Sequence, residues 1–87
     1  MPTVHIPPQM RDLTAGRNEI VVEGQSMRQV IASLEEQCPG IAARLVVEDR
    51  LFPGLAVSID GTVTSRGLLA RVEPGSQIHF LPAFGGG

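Results

Sequence analysis

The sequence contains no lysine, because its seven cationic side chains are all arginines. This excludes a lysine Schiff base, a phosphate-binding lysine of the Walker type and self-conjugation through lysine side chains. Tryptophan and tyrosine are also absent, and three phenylalanines are too few for a surface that stacks nucleic-acid bases. With a formal net charge of −2, the chain also lacks the positive charge that a nucleic-acid partner requires.

Cysteine and long apolar runs are scarce as well. The single cysteine, Cys38, excludes an internal disulfide framework and a zinc site built from several cysteines. No apolar stretch reaches the roughly 20 residues that span a membrane, and the first residues lack the features of a signal peptide. The sequence therefore predicts a cytoplasmic protein, and its 87 residues allow one domain with a modest hydrophobic core.

One helix is the clearest secondary-structure prediction. Ser26 followed three residues later by Gln29 is a capping-box pattern, and it predicts a helix that begins there. The apolar residues that follow at helical spacing are Met27, Val30, Ile31, Leu34 and Cys38. Pro39 ends the helix, and residues 41–45 allow one further turn.

The other segments predict short strands. Alternating or β-branched patterns cover residues 3–7, 18–23, 55–60, 62–64 and 76–81. We expect a loop at 9–17, a loop or short edge strand at 46–54, and a tight turn at Asp60-Gly61. The strand–helix–strand order places the first and last strands side by side in one sheet.

This order predicts an α+β fold of the β-grasp type, with a mixed sheet of four to five strands and one main helix packed across it. We expect the domain to cover residues 1–82. Residues 83–87 then form a flexible C-terminal tail that ends in Gly-Gly.

The domain itself shows no catalytic pattern. His5 and His79 fall on outward strand positions and become neighbours if the first and last strands pair, but a metal site needs further ligands. Surface histidines, in a partner interface for example, are therefore favoured over a metal site. Cys38 lies on the apolar helix face, as expected of a buried small hydrophobe. We predict no catalytic residue, no metal ion and no bound cofactor, so the chain is not an enzyme by this interpretation.

The tail is different. A carboxylate on three side-chain-free residues, Gly85, Gly86 and Gly87, can enter a channel that rejects any Cβ. An ionised carboxylate is a poor electrophile, so it needs activation as an acyl-adenylate by an ATP-using partner before a sulfur nucleophile can displace AMP. The residues alone leave open the alternative of an idle or frayed end.

A resemblance to a known family favours a functional tail over an idle one. The helix at 26–34, the hairpin at 57–61 and the strand at 73–82 that leads to Gly86 and Gly87 resemble the ThiS/MoaD family of ubiquitin-like sulfur carriers. The resemblance implies that an E1-like enzyme adenylates Gly87, and that a sulfur donor converts it to a thiocarboxylate. Gly86 matches the penultimate glycine of the family, whereas Gly85 departs from its more usual small residue.

Residues 7–16 and 37–45 are most similar to the carriers of actinobacterial cysteine synthesis. This implies a PLP-dependent cysteine synthase as acceptor and a metalloprotease that releases the product. The alternatives are a small subunit of molybdopterin synthase, a thiamine-type carrier and, less favoured, a ubiquitin-like protein modifier or a binding module with an idle tail. We expect the partner interface to include His79, Leu81 and Phe84, since Phe84 is a large apolar group beside the reactive end.

Overall fold

The computed structural model describes residues 1–82. Within this range the helices are α1 (Met27–Gln37) and α2 (Ala42–Leu45), with two 3₁₀ turns at Pro8–Leu13 and Gly67–Leu69. The strands are β1 (Thr3–His5), β2 (Glu19–Val21), β3 (Val46–Val47), β4 (Arg50–Leu51), β5 (Leu55–Ile59), β6 (Thr62–Thr64) and β7 (Gln77–Pro82).

The main sheet has five strands in the order β2-β1-β7-β5-β6. The last strand, β7, lies at its centre, parallel to β1 and antiparallel to β5. β1 also pairs antiparallel with β2, so the first hairpin predicted from the sequence is confirmed. The predicted pairing of the first and last strands is confirmed too. β7 therefore has a strand on each side where it begins its run toward the tail.

The core lies between this sheet and α1. Met27, Val30, Ile31 and Leu34 of α1 are buried, as the helical spacing predicts. The sheet contributes alternate residues from its inner face, which are Val4, Ile20, Val57, Ile78 and Phe80. Cys38 is buried at the end of α1, so its prediction as a small core residue is confirmed.

Ser26 caps α1, as the sequence predicts. Its hydroxyl accepts the backbone N–H of Gln29 at 3.3 Å. In a usual capping box the Gln29 side chain would accept the backbone N–H of the cap residue, Ser26. Here its Oε1 accepts the N–H of the preceding residue, Gln25, at 2.8 Å. Ser26 itself pairs with Arg71 in an isolated β-bridge, which holds this segment extended.

One sequence prediction was wrong in detail. Residues 9–13, expected in a loop, belong to a 3₁₀ turn (Pro8–Leu13) that begins at Pro8, where proline loses no helical hydrogen bond. Residues 46–51, expected as a loop or short edge strand, form two short strands, β3 and β4, in a separate sheet. Glu48 and Asp49 form the turn between β3 and β4. Their φ angles of 50° and 62° are left-handed, a conformation that this pair of residues does not predict.

Glu35 links α1 to α2. Its carboxylate accepts the N–H of Gly40 at 3.1 and 3.0 Å and the N–H of Ala42 at 2.9 Å. These hydrogen bonds lower the pKa of Glu35 below its usual value of 4.5, the bond from Gly40 having the larger effect. Because the folded-state pKa is lowered, the ionised carboxylate stabilises the fold above the unfolded pKa. That contribution is lost as the pH falls through the folded pKa.

We therefore expect Glu35→Gln to lower the urea midpoint of unfolding at pH 7. The gap between wild type and variant should narrow at pH values well below 4.5, where the wild-type carboxyl is protonated. The matched control is Glu36→Gln, since Glu36 is exposed in the same helix and its side chain makes no hydrogen bond within residues 1–82. Equal gaps at both pH values would contradict the capping role of the carboxylate.

Candidate functional site

The chain runs along β7, the last strand, before it reaches its C-terminal tail. Gln77, His79 and Leu81 of this strand are exposed while Ile78 and Phe80 are buried, so the predicted inward and outward positions are confirmed. Leu81 pairs with Ala56 and Pro82 pairs with Leu55, which fixes the last described residues against β5. Any protein that receives the following residues must approach this end of β7.

A groove of about 360 Å³ opens beside Pro82. Apolar side chains from three parts of the chain line it, among them Pro7, Met10, Leu55 and Phe80. The groove thus adds an apolar surface next to the strand end, close to the exposed side chain of Leu81, which is 37% accessible.

One row of side chains crosses the outer face of the sheet, away from α1. The strand register places directly paired residues on the same face, and the row runs through Glu19, His5, His79, Ser58 and Val63. Val63 is 59% exposed, whereas Ser58 is covered between its neighbours. The outer face is therefore histidine-rich at its centre and apolar at one edge.

The two histidines stack on one another. Their ring centroids lie 4.1 Å apart with an interplanar angle of 1°. His5 is held in place, because its Nε2 lies 2.7 Å from Gln77 Oε1 and its Nδ1 lies 3.4 Å from Glu19 Oε1. The neighbouring position expected from strand pairing is confirmed. His79 therefore presents its ring to solvent on a platform that other side chains fix.

Sequence reasoning missed the residues that support this platform. Glu19 and Gln77 read as ordinary solvated strand residues, and only the register of β1 against both β2 and β7 brings them to His5. Period-two alternation could have placed them on the outer face, but not opposite the histidine. Within residues 1–82, no group of three or more His, Cys, Asp or Glu side chains is arranged to hold a metal ion.

The residues expected to carry the reaction lie outside the described range. Gly87 as the adenylated residue, Gly86 and Gly85 as the threading segment and Phe84 as an interface anchor therefore stay predictions. Of the predicted interface, the structure places His79 and Leu81, both exposed on the outer face of β7. Over residues 1–82 it contains no helix with the length and apolar character to cross a membrane.

The five-stranded mixed sheet, the helix across it and a central last strand define a β-grasp protein of the ubiquitin-like class. The chain belongs to the ThiS family, whose model matches residues 4–87. The family resemblance drawn from the sequence is thereby confirmed.

The similarity to known proteins extends over nearly the whole length of the chain. The sulfur carrier protein CysO of Mycobacterium tuberculosis (strain H37Rv) is 32% identical over 92 residues, covering 98% of this chain and 97% of CysO. The crystal structure of the Amycolatopsis orientalis BexX/CysO complex contains a chain that superposes with a TM-score of 0.91 at 34% identity, covering 100% of both chains. The crystal structure of Mycobacterium tuberculosis CysO gives 0.87 at 27% identity, covering 95% of this chain and 99% of that one.

Proposed function

We propose that this protein is a sulfur carrier whose reactive group is the carboxylate of Gly87. An E1-like enzyme joins this carboxylate to the α-phosphate of ATP, and pyrophosphate leaves. A sulfide-level sulfur nucleophile then attacks the acyl carbon, a C–S bond forms and AMP departs with the electrons of the C–O bond. The product is a thiocarboxylate, and ATP is bound by the partner alone.

The observation that carries this proposal is the near full-length similarity to sulfur carrier proteins named CysO, together with the ThiS family match. The geometry of β7 supports it. β7 pairs with β1 over Gln77–His79 and with β5 as far as Pro82, so the sheet holds the strand from which the tail leaves. The docked domain therefore sets the point from which the tail starts, which limits where Gly87 can reach and favours productive positioning.

For the acceptor, the similarity to CysO favours cysteine synthesis, with a PLP-dependent synthase that takes the sulfur and a metalloprotease that frees the product. The neighbour crystallised as a BexX/CysO complex supports the expectation that such a chain docks onto a second protein. The alternative acceptors are those of the molybdopterin synthase and thiamine-type pathways. A role as a ubiquitin-like protein modifier is less favoured.

The test uses the full chain with the E1-like enzyme encoded in the same genome, ATP and a sulfide donor. Intact-mass spectrometry should show one oxygen replaced by sulfur, and fragmentation should locate the change at Gly87. Candidate acceptors are then compared by transfer of labelled sulfur. A chain that forms no thiocarboxylate but becomes joined through its C-terminal carboxyl to lysines of other proteins by isopeptide bonds would overturn the carrier proposal in favour of a modifier.

A substitution at Phe84 tests the predicted partner surface. We expect Phe84→Ala to weaken binding to the activating enzyme about tenfold, because a truncated aromatic anchor at an interface commonly costs more than 1 kcal/mol. The matched control is Leu69→Ala, since Leu69 is a 69% exposed apolar residue on a 3₁₀ turn and not on the outer face of β7. The dissociation constants are measured by calorimetric titration. If Phe84→Ala, Leu69→Ala and wild type bind equally well, Phe84 is not part of the interface.

A further inference from the structure

The groove beside Pro82 differs in its chemistry from other clefts of the domain. None of the described residues that line it carries a charge, and Gln9 supplies its one polar side chain. Four other clefts of similar size within residues 1–82 each contain at least one Asp, Glu or Arg side chain. Because an uncharged groove offers no partner to a carboxylate or a guanidinium, it favours an apolar occupant.

The walls of this groove belong to the folded core. Met10 and Phe80 are only 9% and 6% accessible, and Leu55 packs against the core beside them. The backbone of each wall is hydrogen-bonded as well, since the N–H of Met10 donates to Pro7 O at 3.0 Å and the N–H of Leu55 donates to Phe52 O at 3.0 Å. The groove therefore has a shape that is set before anything enters it.

The sequence places one large apolar side chain within reach of the groove. Residues 83–87 follow the described domain, and Phe84 is the one residue among them that is larger than alanine. Pro82 lines the groove, and Phe84 follows it by two residues. Two residues span at most about 7 Å, so the chain is long enough for the Phe84 side chain to reach the groove and too short to carry it far away.

The alternation of β7 points to the same occupant. Phe80 and Pro82 are two residues apart, and Leu55 of β5 pairs directly with Pro82. Residues at every second position of a strand lie on one face, so an extended continuation of β7 would direct position 84 to the face that Phe80 and Leu55 share. This is the face on which these two side chains line the groove.

We propose that the ring of Phe84 occupies this groove in the unbound chain. A phenylalanine side chain buries about 150–250 Å² of surface, and burying this surface together with the apolar walls stabilises the contact. A groove of about 360 Å³ is also small enough to suit one side chain rather than a longer peptide segment. The contact is a property of the chain alone, so it is independent of the proposed function.

The contact would define how the reactive end is presented. With Phe84 in the groove, only Gly85–Gly87 extend from the domain, and three residues reach at most about 10 Å. An activating enzyme would then meet the carboxylate beside the groove and the exposed side chain of Leu81. Since the chain up to Phe84 is already ordered before the partner arrives, less conformational entropy is lost on binding.

The experiment is NMR spectroscopy of the full unbound chain with isotope-labelled methionine methyl groups, the Met10 signal being assigned by its absence in Met10→Leu. We expect nuclear Overhauser contacts from the Phe84 ring to the methyl groups of Met10 and Leu55. Phe84→Leu keeps an apolar side chain but removes the ring current, so the Met10 methyl signal should shift. Phe80 also lines the groove, but it is present in both chains, and the difference between them therefore reports Phe84.

The matched control is Phe52→Leu, which removes a ring that is 45% exposed and does not line the groove. Its Met10 methyl signal should stay at the wild-type position. Thermal unfolding verifies that each variant is folded. Identical Met10 signals in wild type, Phe84→Leu and Phe52→Leu, without contacts from the Phe84 ring, would overturn the proposal.

Two further measurements test other occupants of the groove. Ring contacts that appear between labelled and unlabelled chains in a mixed sample would assign the occupant to a second copy and overturn the proposal. A Met10 shift that appears only after addition of the E1-like enzyme of the same genome would assign it to a partner side chain, with the same consequence. Thiocarboxylate formation without the Phe84 contacts would refute this inference alone, whereas the contacts in a chain that is never activated would refute the proposed function alone.

Discussion

Deleting Gly87 is expected to lower the initial rate of thiocarboxylate formation by about a thousandfold or more. The shortened chain still carries a terminal carboxylate, but that group stops one residue, about 3.5 Å, short of the activated phosphate. A misplacement of 1 Å at a reacting centre can cost about a hundredfold in rate, so a whole residue removes nearly all productive encounters. Single-turnover assays with the E1-like enzyme, ATP and sulfide, followed by intact-mass spectrometry, measure the loss.

Two comparisons make the result specific to the reacting atoms. Binding of the deleted chain to the enzyme should stay within a few-fold of wild type, because Leu81 and Phe84 are unchanged. Gly87→Ala keeps the length of the tail and adds only a Cβ. If the partner's channel admits only side-chain-free residues, the initial rate of thiocarboxylate formation should fall by about tenfold to a hundredfold, less than for the deletion. Normal thiocarboxylate yield from the deleted chain would show that activation does not require Gly87, and it would end the proposal that Gly87 is the reactive residue.

The part of the fold that follows local chemical rules could be predicted from the sequence. Ser26 and Gln29 fixed the start of α1, and Asp60-Gly61 placed the β5–β6 turn, where φ is 52° and 86°. The alternation of 76–81 gave the two faces of β7. The pairing of the first and last strands followed from the strand–helix–strand order, which keeps both strands in one sheet.

What escaped prediction depends on contacts between distant segments. The turn of the β3–β4 hairpin places Glu48 and Asp49 in left-handed conformations, and this is uncommon for glutamate. For the site, the exposed residues His79 and Leu81 could be predicted, whereas the support that Gln77 and Glu19 give to His5 could not. Such support depends on which residues of separate strands lie opposite one another, and the pattern within one strand does not show this.

Gly24→Ala is expected to destabilise the domain by about 3–5 kcal/mol, which is a large share of the stability of a chain this size. A Cβ at this position would lie 2.8 Å from the backbone nitrogen of Val30 and 2.9 Å from its Cγ2. The backbone atom belongs to α1, so relief requires the helix to shift against the core that it covers. Gly24 also has φ of +151°, where an alanine is strained even without a neighbour.

Gly16→Ala separates these two causes. Gly16 has φ of +80°, but a Cβ there meets nothing within 4 Å, so only backbone strain of about 1 kcal/mol is expected. With about 4–8 °C of melting temperature per kcal/mol for a domain of this size, Gly24→Ala should melt at least about 10 °C below Gly16→Ala. Equal melting temperatures would show that α1 does not approach the β2–α1 connection as closely as the structure has it.

The same variant also separates stability from carrier function. Gly24 shares a groove with Pro74, just before the start of β7, whereas the tail follows the other end of that strand. Six strand residues at about 3.3 Å each put roughly 20 Å between the two ends. At about 15 °C, near the usual maximum of protein stability, the folded fraction of Gly24→Ala should therefore form the thiocarboxylate at the wild-type rate. A slow reaction in a chain shown to be folded would mean that the position of α1 reaches the docking surface, and that the rigid domain contributes to activation beyond holding the tail.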